Sequence, residues 1–286
     1  MPTVDKPLFL YIQRRDFLKS GLTLAGALSA LGFRPTSFAA DGEAQISPPQ
    51  GLDIAGEAEV VEIVDGDTVL LSTGQEIRLV GIQAPKIPLS RSNFWPWPHG
   101  EEAKDALDSL IRNERVRFGY AGAKQDRHGR GLAHLVRTDG MWVQGWMLRH
   151  GHARVYSFPD NRRFVPEMME IEQAARAAAV GLWALDFYAV RSALDQRIGP
   201  LNYFQLVQGT VTQSTRVSNR WFINFGADYR QDFTANLRLD TVRRFRDALS
   251  YLTDLEGRSI RVRGWLYERN GPAIDVTHPE QIELLG

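Results

Sequence analysis

Ala58-Glu59-Val60-Val61-Glu62-Ile63-Val64-Asp65-Gly66-Asp67-Thr68-Val69-Leu70-Leu71 is the stretch on which the fold turns. Two runs rich in valine, isoleucine and leucine flank Asp65-Gly66-Asp67, whose composition is that of a tight turn, so the stretch reads as a β-hairpin. Downstream, Thr73-Gly74 marks a second turn and Ile77-Arg78-Leu79-Val80-Gly81-Ile82 a third strand. A loop carrying Pro85, Pro88, Pro96 and Pro98 leads to a helix predicted from about Glu101 to Arg112 by its apolar spacing. Arg115 to Tyr120 and Gly131 to Arg137 read as strands. Met141 to His150 and Pro166 to Ala179 read as helices, the second with proline in its first turn.

Periodicity fades after Trp183, and Val190 to Pro200 reads as a linker. Strand patterning restarts at Leu206 to Gln213, Arg220 to Gly226 and Phe233 to Leu239. A helix is predicted from Thr241 to Leu252, then strands Ser259 to Tyr267 and Ala273 to Val276. Five strands and a helix fit a small barrel of the oligonucleotide/oligosaccharide-binding (OB) type, expected to fold alone.

The chain has 286 residues, 43% apolar, 24% charged and without cysteine. These values exclude a disordered chain, a disulfide scaffold, a thiolate metal site and a thiol nucleophile. No apolar run is long enough to span a bilayer. Arg14-Arg15-Asp16-Phe17-Leu18-Lys19, an apolar stretch from Gly21 to Phe33 and the small residues of Ser37-Phe38-Ala39 resemble a twin-arginine export signal over residues 1–39, although Gln13 stands where serine or threonine is usual. Export to the periplasm or the medium is therefore expected. Removing that segment takes away five basic and two acidic residues, leaving 29 and 32, a net charge of −3. Such a chain lacks the cationic excess of a dedicated duplex-DNA binder.

Three motifs occur in order: Val64-Asp65-Gly66-Asp67-Thr68-Val69, Arg78-Leu79-Val80-Gly81-Ile82 and Asp126-Arg127-His128-Gly129-Arg130-Gly131-Leu132-Ala133. With Gly181-Leu182-Trp183 closing the pattern, residues 58 to 183 resemble the staphylococcal nuclease (thermonuclease) family. The resemblance implies a helix-bearing β-barrel of OB type (α+β), followed here by a second OB-like barrel. The organisation expected is a signal over 1–39, a flexible leader over 40–57, a nuclease-like domain over 58–189, a linker over 190–202 and the second domain over 203–286.

The resemblance also implies hydrolysis of DNA or RNA phosphodiesters with one calcium ion. Asp67 then matches the first calcium aspartate, Asp65 an acidic neighbour of the metal, and Arg78 and Arg130 the two phosphate-binding arginines. Tyr156 and Arg127 fall at the substrate edge. Other positions depart from the family. Gln83 stands at the second calcium aspartate, Ala84 at the threonine beside it, Lys86 at the general-base glutamate and Phe158 at a further tyrosine. No Asp or Glu occurs from Ile77 to Gly100, so no shift of register restores a carboxylate. Asp67, Gln83 and Lys86 together carry no net charge where the family carries three negative groups. Calcium binding, which depends on charged oxygen ligands, is expected to be poor, and a metal-free site is an open alternative. A protonated lysine cannot serve as a base.

Two readings stay open. One is a phosphate-binding site of Arg78, Lys86 and Arg130 with impaired calcium-dependent cleavage, whose partner is DNA, RNA or another phosphate-bearing ligand. The other is an active exported nuclease with an altered metal or base, for which His99, Glu101 and Glu102 are substitutes. The aromatics of Phe94-Trp95-Pro96-Trp97-Pro98 either stack bases or cover the barrel end. In the last segment, Arg243, Arg244 and Arg246 read as a solvated helix face. Trp221, Phe222, Phe225, Tyr229, Phe233 and Trp265 read as core or as a ligand-binding face, and a protein partner of this domain is a further option.

Overall fold

The hairpin forms as read. In the computed structural model, which describes residues 46–90, 94–195 and 198–286, β1 (Asp53–Asp65) turns back antiparallel into β2 (Thr68–Leu71). The export signature lies outside the described residues. β2 pairs with β3 (Glu76–Leu79), and the chain crosses to β4 (Ile82–Gln83) through Gly81 at φ +85°. A Cβ there would also meet the Met168 sulfur at 2.6 Å, so both the torsion and the space call for glycine.

α1 (Gly100–Ile111) follows, with Glu101 and Glu102 in its first turn complementing the helix dipole. Ala103, Leu107, Leu110 and Ile111 form the buried stripe that the apolar spacing predicts. β5 (Arg115–Tyr120), β6 (Gly131–Arg137), α2 (Val143–Arg149), β7 (Arg154–Val155) and α3 (Val165–Ala177) complete the first part. The order β1-β2-β3-β6-β5 closes into a five-stranded barrel of OB type, with β3 and β6 parallel. Its core includes Val60, Val69, Ile77, Leu79, Leu135 and Trp142, each 0–1% exposed, against which α1, α2 and α3 pack.

The second part is built on β8 (Arg191–Ser192), β9 (Phe204–Thr210), β10 (Gln213–Val217), β11 (Arg220–Asn224), β12 (Thr234–Arg238), α4 (Leu239–Arg244), β13 (Ser259–Glu268), β14 (Pro272–Val276) and β15 (Ile282–Leu284). These strands form one eight-stranded sheet in the order β10-β11-β12-β14-β13-β9-β8, with β15 also on β13. The pairings from β10 round to β9 repeat the order and strand directions of the first barrel. β9 and β10 are parted in the chain only by Val211 and Thr212, whose amides donate to the Arg258 and Asn224 carbonyls, so the sheet curls back on itself in the OB-like arrangement expected. β10 and β15 escape the sequence reading because Gln213–Val217 is polar and Ile282–Leu284 is short.

Three boundaries move. β1 starts at Asp53, inside the stretch read as a leader, because Asp53–Glu59 pairs with β5. The stretch read as a linker carries β8, which pairs in parallel with Val207 and Gln208. The helix expected over 241–252 ends at Arg244, where Phe245 leaves helical torsions and packs against the second core. A single turn resumes only over Ser250–Asp254. Ala44–Gly286 forms one compact unit. A third apolar cluster of Ala175, Leu182, Trp183, Tyr188, Phe204 and Leu206 joins the end of α3 to β9. Among the described residues, no helix is long and apolar enough to cross a membrane.

Candidate phosphodiester site

The turn between β1 and β2 delivers Asp65 and Asp67 to one end of the barrel, and the crossover after Gly81 brings Gln83 and Lys86 opposite them. Asp67 is fully buried. Its Oδ1 lies 2.9 Å from Lys86 Nζ and accepts from Thr68 Oγ1 at 3.3 Å. Its Oδ2 accepts from the Ala84 amide at 2.7 Å and lies 3.1 Å from both Lys86 Nζ and Arg78 Nη2. The roughly four acceptor positions of a carboxylate are all engaged. Burial alone would raise the Asp67 pKa, but Arg78 and Lys86 outweigh it and hold the group at about 2. Asp65 moves the other way, raised by burial and by the neighbouring Asp67 charge. Its Oδ2 is 3.4 Å from the same Lys86 ammonium, which therefore bridges the two aspartates.

Arg78 Nη1 donates to the Asp67 and Leu79 carbonyls, and Nη2 donates to the Ile82 carbonyl and reaches Asp67 Oδ2. Its four terminal N–H groups thus hold the barrel rim, leaving Nε–H as the donor outside these contacts. Arg78 therefore braces the rim of the barrel while it also lines the adjoining cleft. Gln83 Oε1 accepts two hydrogen bonds from Arg154, at 3.1 Å from Nε and 2.8 Å from Nη2. Arg154 is itself buried, donates to the Phe204 carbonyl, and has its pKa lowered by that burial to about 10.

Arg78, Gln83, Lys86, Arg127, Arg130, Tyr156 and Phe158 line one cleft of about 530 Å³, beside Asp126, His128 and Asp160. Arg130 is braced by Asp126, whose Oδ2 is 2.8 Å from Nε, and Arg127 Nε donates to His128 Nε2 at 3.1 Å. Tyr156 closes the cleft edge, with its hydroxyl accepting from Trp265 Nε1 at 2.9 Å.

Candidate substitutes for the base are placed elsewhere. His99, in a left-handed conformation before α1, stacks on His152 at a centroid distance of 5.1 Å. It and the exposed Glu101 and Glu102 are not among the described residues lining the cleft. Trp97 is buried against Phe187 and Tyr203, which is the covering role, whereas Trp95 is 82% exposed. Phe225 and Phe233 are core. Phe222 and Tyr229 line a second groove, on the outer face of the sheet.

Residues 76–185 match the model of the family described as "Staphylococcal nuclease homologue". An uncharacterized endonuclease of Escherichia coli O157:H7 is 32% identical over 135 residues, covering 46% of this chain and 78% of that protein. The chain belongs to the staphylococcal nuclease family. A thermonuclease of Staphylococcus intermedius is 27% identical, covering 46% of this chain and 79% of the relative. The SPbeta prophage-derived endonuclease YokF of Bacillus subtilis is 28% identical, but only 43% of its length is spanned. Asp65 and Asp67 precede the family match, while Arg78, Gln83, Lys86, Arg127, Arg130 and Tyr156 fall within it.

The calcium ion that this family uses does not fit the residues present. Calcium takes six to eight oxygens. Here the Asp67 oxygens are engaged, Gln83 faces an arginine, and a lysine ammonium stands against both aspartates. Among the described residues, no group of three or more His, Asp or Glu could hold a metal. Arg154 was invisible to the sequence reading, since one arginine in a two-residue strand carries no motif and its partner lies 71 positions away.

Proposed function

We propose that this protein is an exported staphylococcal nuclease homologue that binds phosphodiesters or related anions, with calcium-dependent cleavage impaired. The observation that carries this reading is the Lys86 ammonium at 2.9 and 3.1 Å from the two oxygens of Asp67. A tethered monovalent cation neutralises the carboxylate that would otherwise attract a divalent one. It has no vacant coordination position with which to orient an attacking water. Arg127 and Arg130, with the Nε–H of Arg78, leave the cleft wall able to hold phosphoryl oxygens by charge-assisted hydrogen bonds, while the Lys86 ammonium is held by the two aspartates. Export rests on Arg14 and Arg15. The DNA, RNA or other phosphate ligand rests on the endonuclease names of the relatives.

The test is a nuclease assay on the mature protein with calcium, magnesium, manganese and chelator, beside Asp67→Ala, together with calorimetry against calcium and a nucleoside diphosphate. Nucleotide binding that persists in chelator, with weak or absent calcium binding, is expected. Micromolar calcium binding and calcium-dependent DNA hydrolysis abolished by Asp67→Ala would establish the active-nuclease alternative instead. Replacing Arg14 and Arg15 together by lysine is expected to retain the precursor in the cytoplasm, and unchanged delivery would refute export by this route.

A further inference from the structure

The outer face of the second sheet carries a groove of about 530 Å³, and the strand register explains what lines it. Gln213 on β10 stands opposite Asn224 on β11, and Asn224 opposite Thr234 on β12. The same row continues through Ala273 on β14 to Tyr267 on β13, the short alanine leaving room between its neighbours. A second row runs through Thr215, Phe222, Asn236 and Asp275. The rings of Phe222, Tyr229 and Tyr267 all line the groove, Tyr229 being the most open. Outward sheet faces are ordinarily solvated, yet Asn224, Thr234 and Asn236 are 7%, 8% and 5% exposed. Buried amides are costly unless hydrogen-bonded, and these are held by one another. Asn224 Nδ2 donates to Gln213 Oε1 at 3.1 Å, and its Oδ1 accepts from Thr234 Oγ1 at 3.1 Å. Asn236 Nδ2 donates to the Tyr267 hydroxyl at 3.0 Å, and its Oδ1 accepts from Arg220. Each asparagine nitrogen spends one of its two N–H groups in these bonds, so the floor is fixed while donors remain.

From this floor we infer that the groove is a second binding site, and that its ligand is an oligosaccharide. A sugar ring carries polarised C–H groups on its faces, which settle on the electron-rich faces of aromatic rings. Around its edge stand neighbouring hydroxyls, each both donor and acceptor, which amide and hydroxyl side chains match group for group. Charge points the same way. The lining holds no carboxylate, and Asp275 answers Arg220 at 3.3 Å. Among the described residues, Arg269 is then the one lining cation outside an ion pair. A nucleic-acid strand would set a phosphate per nucleotide against that single charge. An extended peptide pairs with main-chain groups at a sheet edge, whereas this face offers side chains. The groove lies outside the residues matched to the family and shares no lining residue with the phosphodiester cleft. The appended sheet is thus a recognition module with a ligand of its own.

The test titrates the full mature chain with triacetylchitotriose, cellotriose and trigalacturonate by calorimetry, and follows the side-chain amide signals by heteronuclear NMR. Saturable binding of at least one of these probes, with the Asn224 and Asn236 amide signals shifting, is expected. Tyr229→Ala and Gln213→Ala, both at exposed positions, should each weaken that binding roughly three- to tenfold at an unchanged melting temperature. Either variant carries the test should the other disturb the fold. A saturating nucleoside diphosphate should leave the saccharide bound, which separates the groove from the cleft. Failure of all the probes to bind, binding that both variants leave intact, or displacement by the nucleotide would each overturn the inference. So would a labelled oligothymidylate whose binding falls in Tyr229→Ala, since the groove would then belong to nucleic acid.

Discussion

Arg263 on β13 closes a fork onto Glu172 on α3, with Nη1 3.2 Å from Oε2 and Nη2 2.9 Å from Oε1, and both side chains are buried. Glu172 also accepts from the Val155 amide and from Arg176, and Arg263 also reaches Glu283. An ion pair so desolvated contributes little net stability against an apolar replacement of both partners. Removing one partner strands the other charge in the interior.

Arg263→Met is accordingly expected to lower unfolding free energy by about 3–5 kcal/mol, with barrel and sheet unfolding in a single transition. Denaturant titration followed by tryptophan fluorescence and by far-ultraviolet circular dichroism measures both. Two separated transitions, or a negligible loss, would mean that the sheet stands alone as the strand pattern first suggested.

At the site, Gln83→Asp alone is expected to gain little calcium affinity, because Arg154 would pair with the new carboxylate. Lys86→Glu together with Gln83→Asp should gain more, since it removes the ammonium from Asp67. The readout is the rise in melting temperature on adding calcium, which grows as the logarithm of ligand concentration over Kd. An unmodified protein already stabilised by calcium would contradict this account.

Acid should destabilise the fold well above the carboxylate range. Burial lowers the pKa of His134 from 6.5 to about 3 and that of His278 from 6.5 to about 4. The unfolded chain takes up these protons below pH 6.5, whereas the folded one refuses them until about 4 or lower. Stability is therefore complete above 6.5 and falls towards 4, by up to about 1.4 kcal/mol per pH unit for each histidine. Asp67, held at about 2 against an ordinary 3.8, adds a separate loss only below 3.8. His278→Asn should flatten the upper slope in a series of melting curves. An equal slope in parent and variant would rule out His278 as a source.

Gly81→Ala should cost about 1–3 kcal/mol through its left-handed torsion and the crowded Met168 sulfur. It should also weaken nucleotide binding, because this residue aims the segment bearing Gln83 and Lys86. Stability loss with unchanged nucleotide affinity would separate the two effects.

The barrel was legible because its determinants are local. Asp65-Gly66-Asp67 dictates a turn, and Ala103, Leu107, Leu110 and Ile111 of α1 recur at helical spacing. The charge change at Gln83 and Lys86 was legible too, by position against the family pattern. What escaped was partnership at long range. Nothing near Gln83 announces Arg154, nothing near Tyr156 announces Trp265, and Phe245 ends α4 because of a core assembled from distant strands.

Arg154 touches Gln83 with one edge of its guanidinium and the Phe204 carbonyl with another. That double attachment bears on how such a chain can be recombined. Cutting the family domain out at residue 189 is expected to disturb its own cleft. The cut would leave Arg154 without the Phe204 carbonyl and remove a fixed support of the segment that carries Lys86. A breakpoint far from the cleft would thus leave its trace inside it, at the contact between positions 154 and 83.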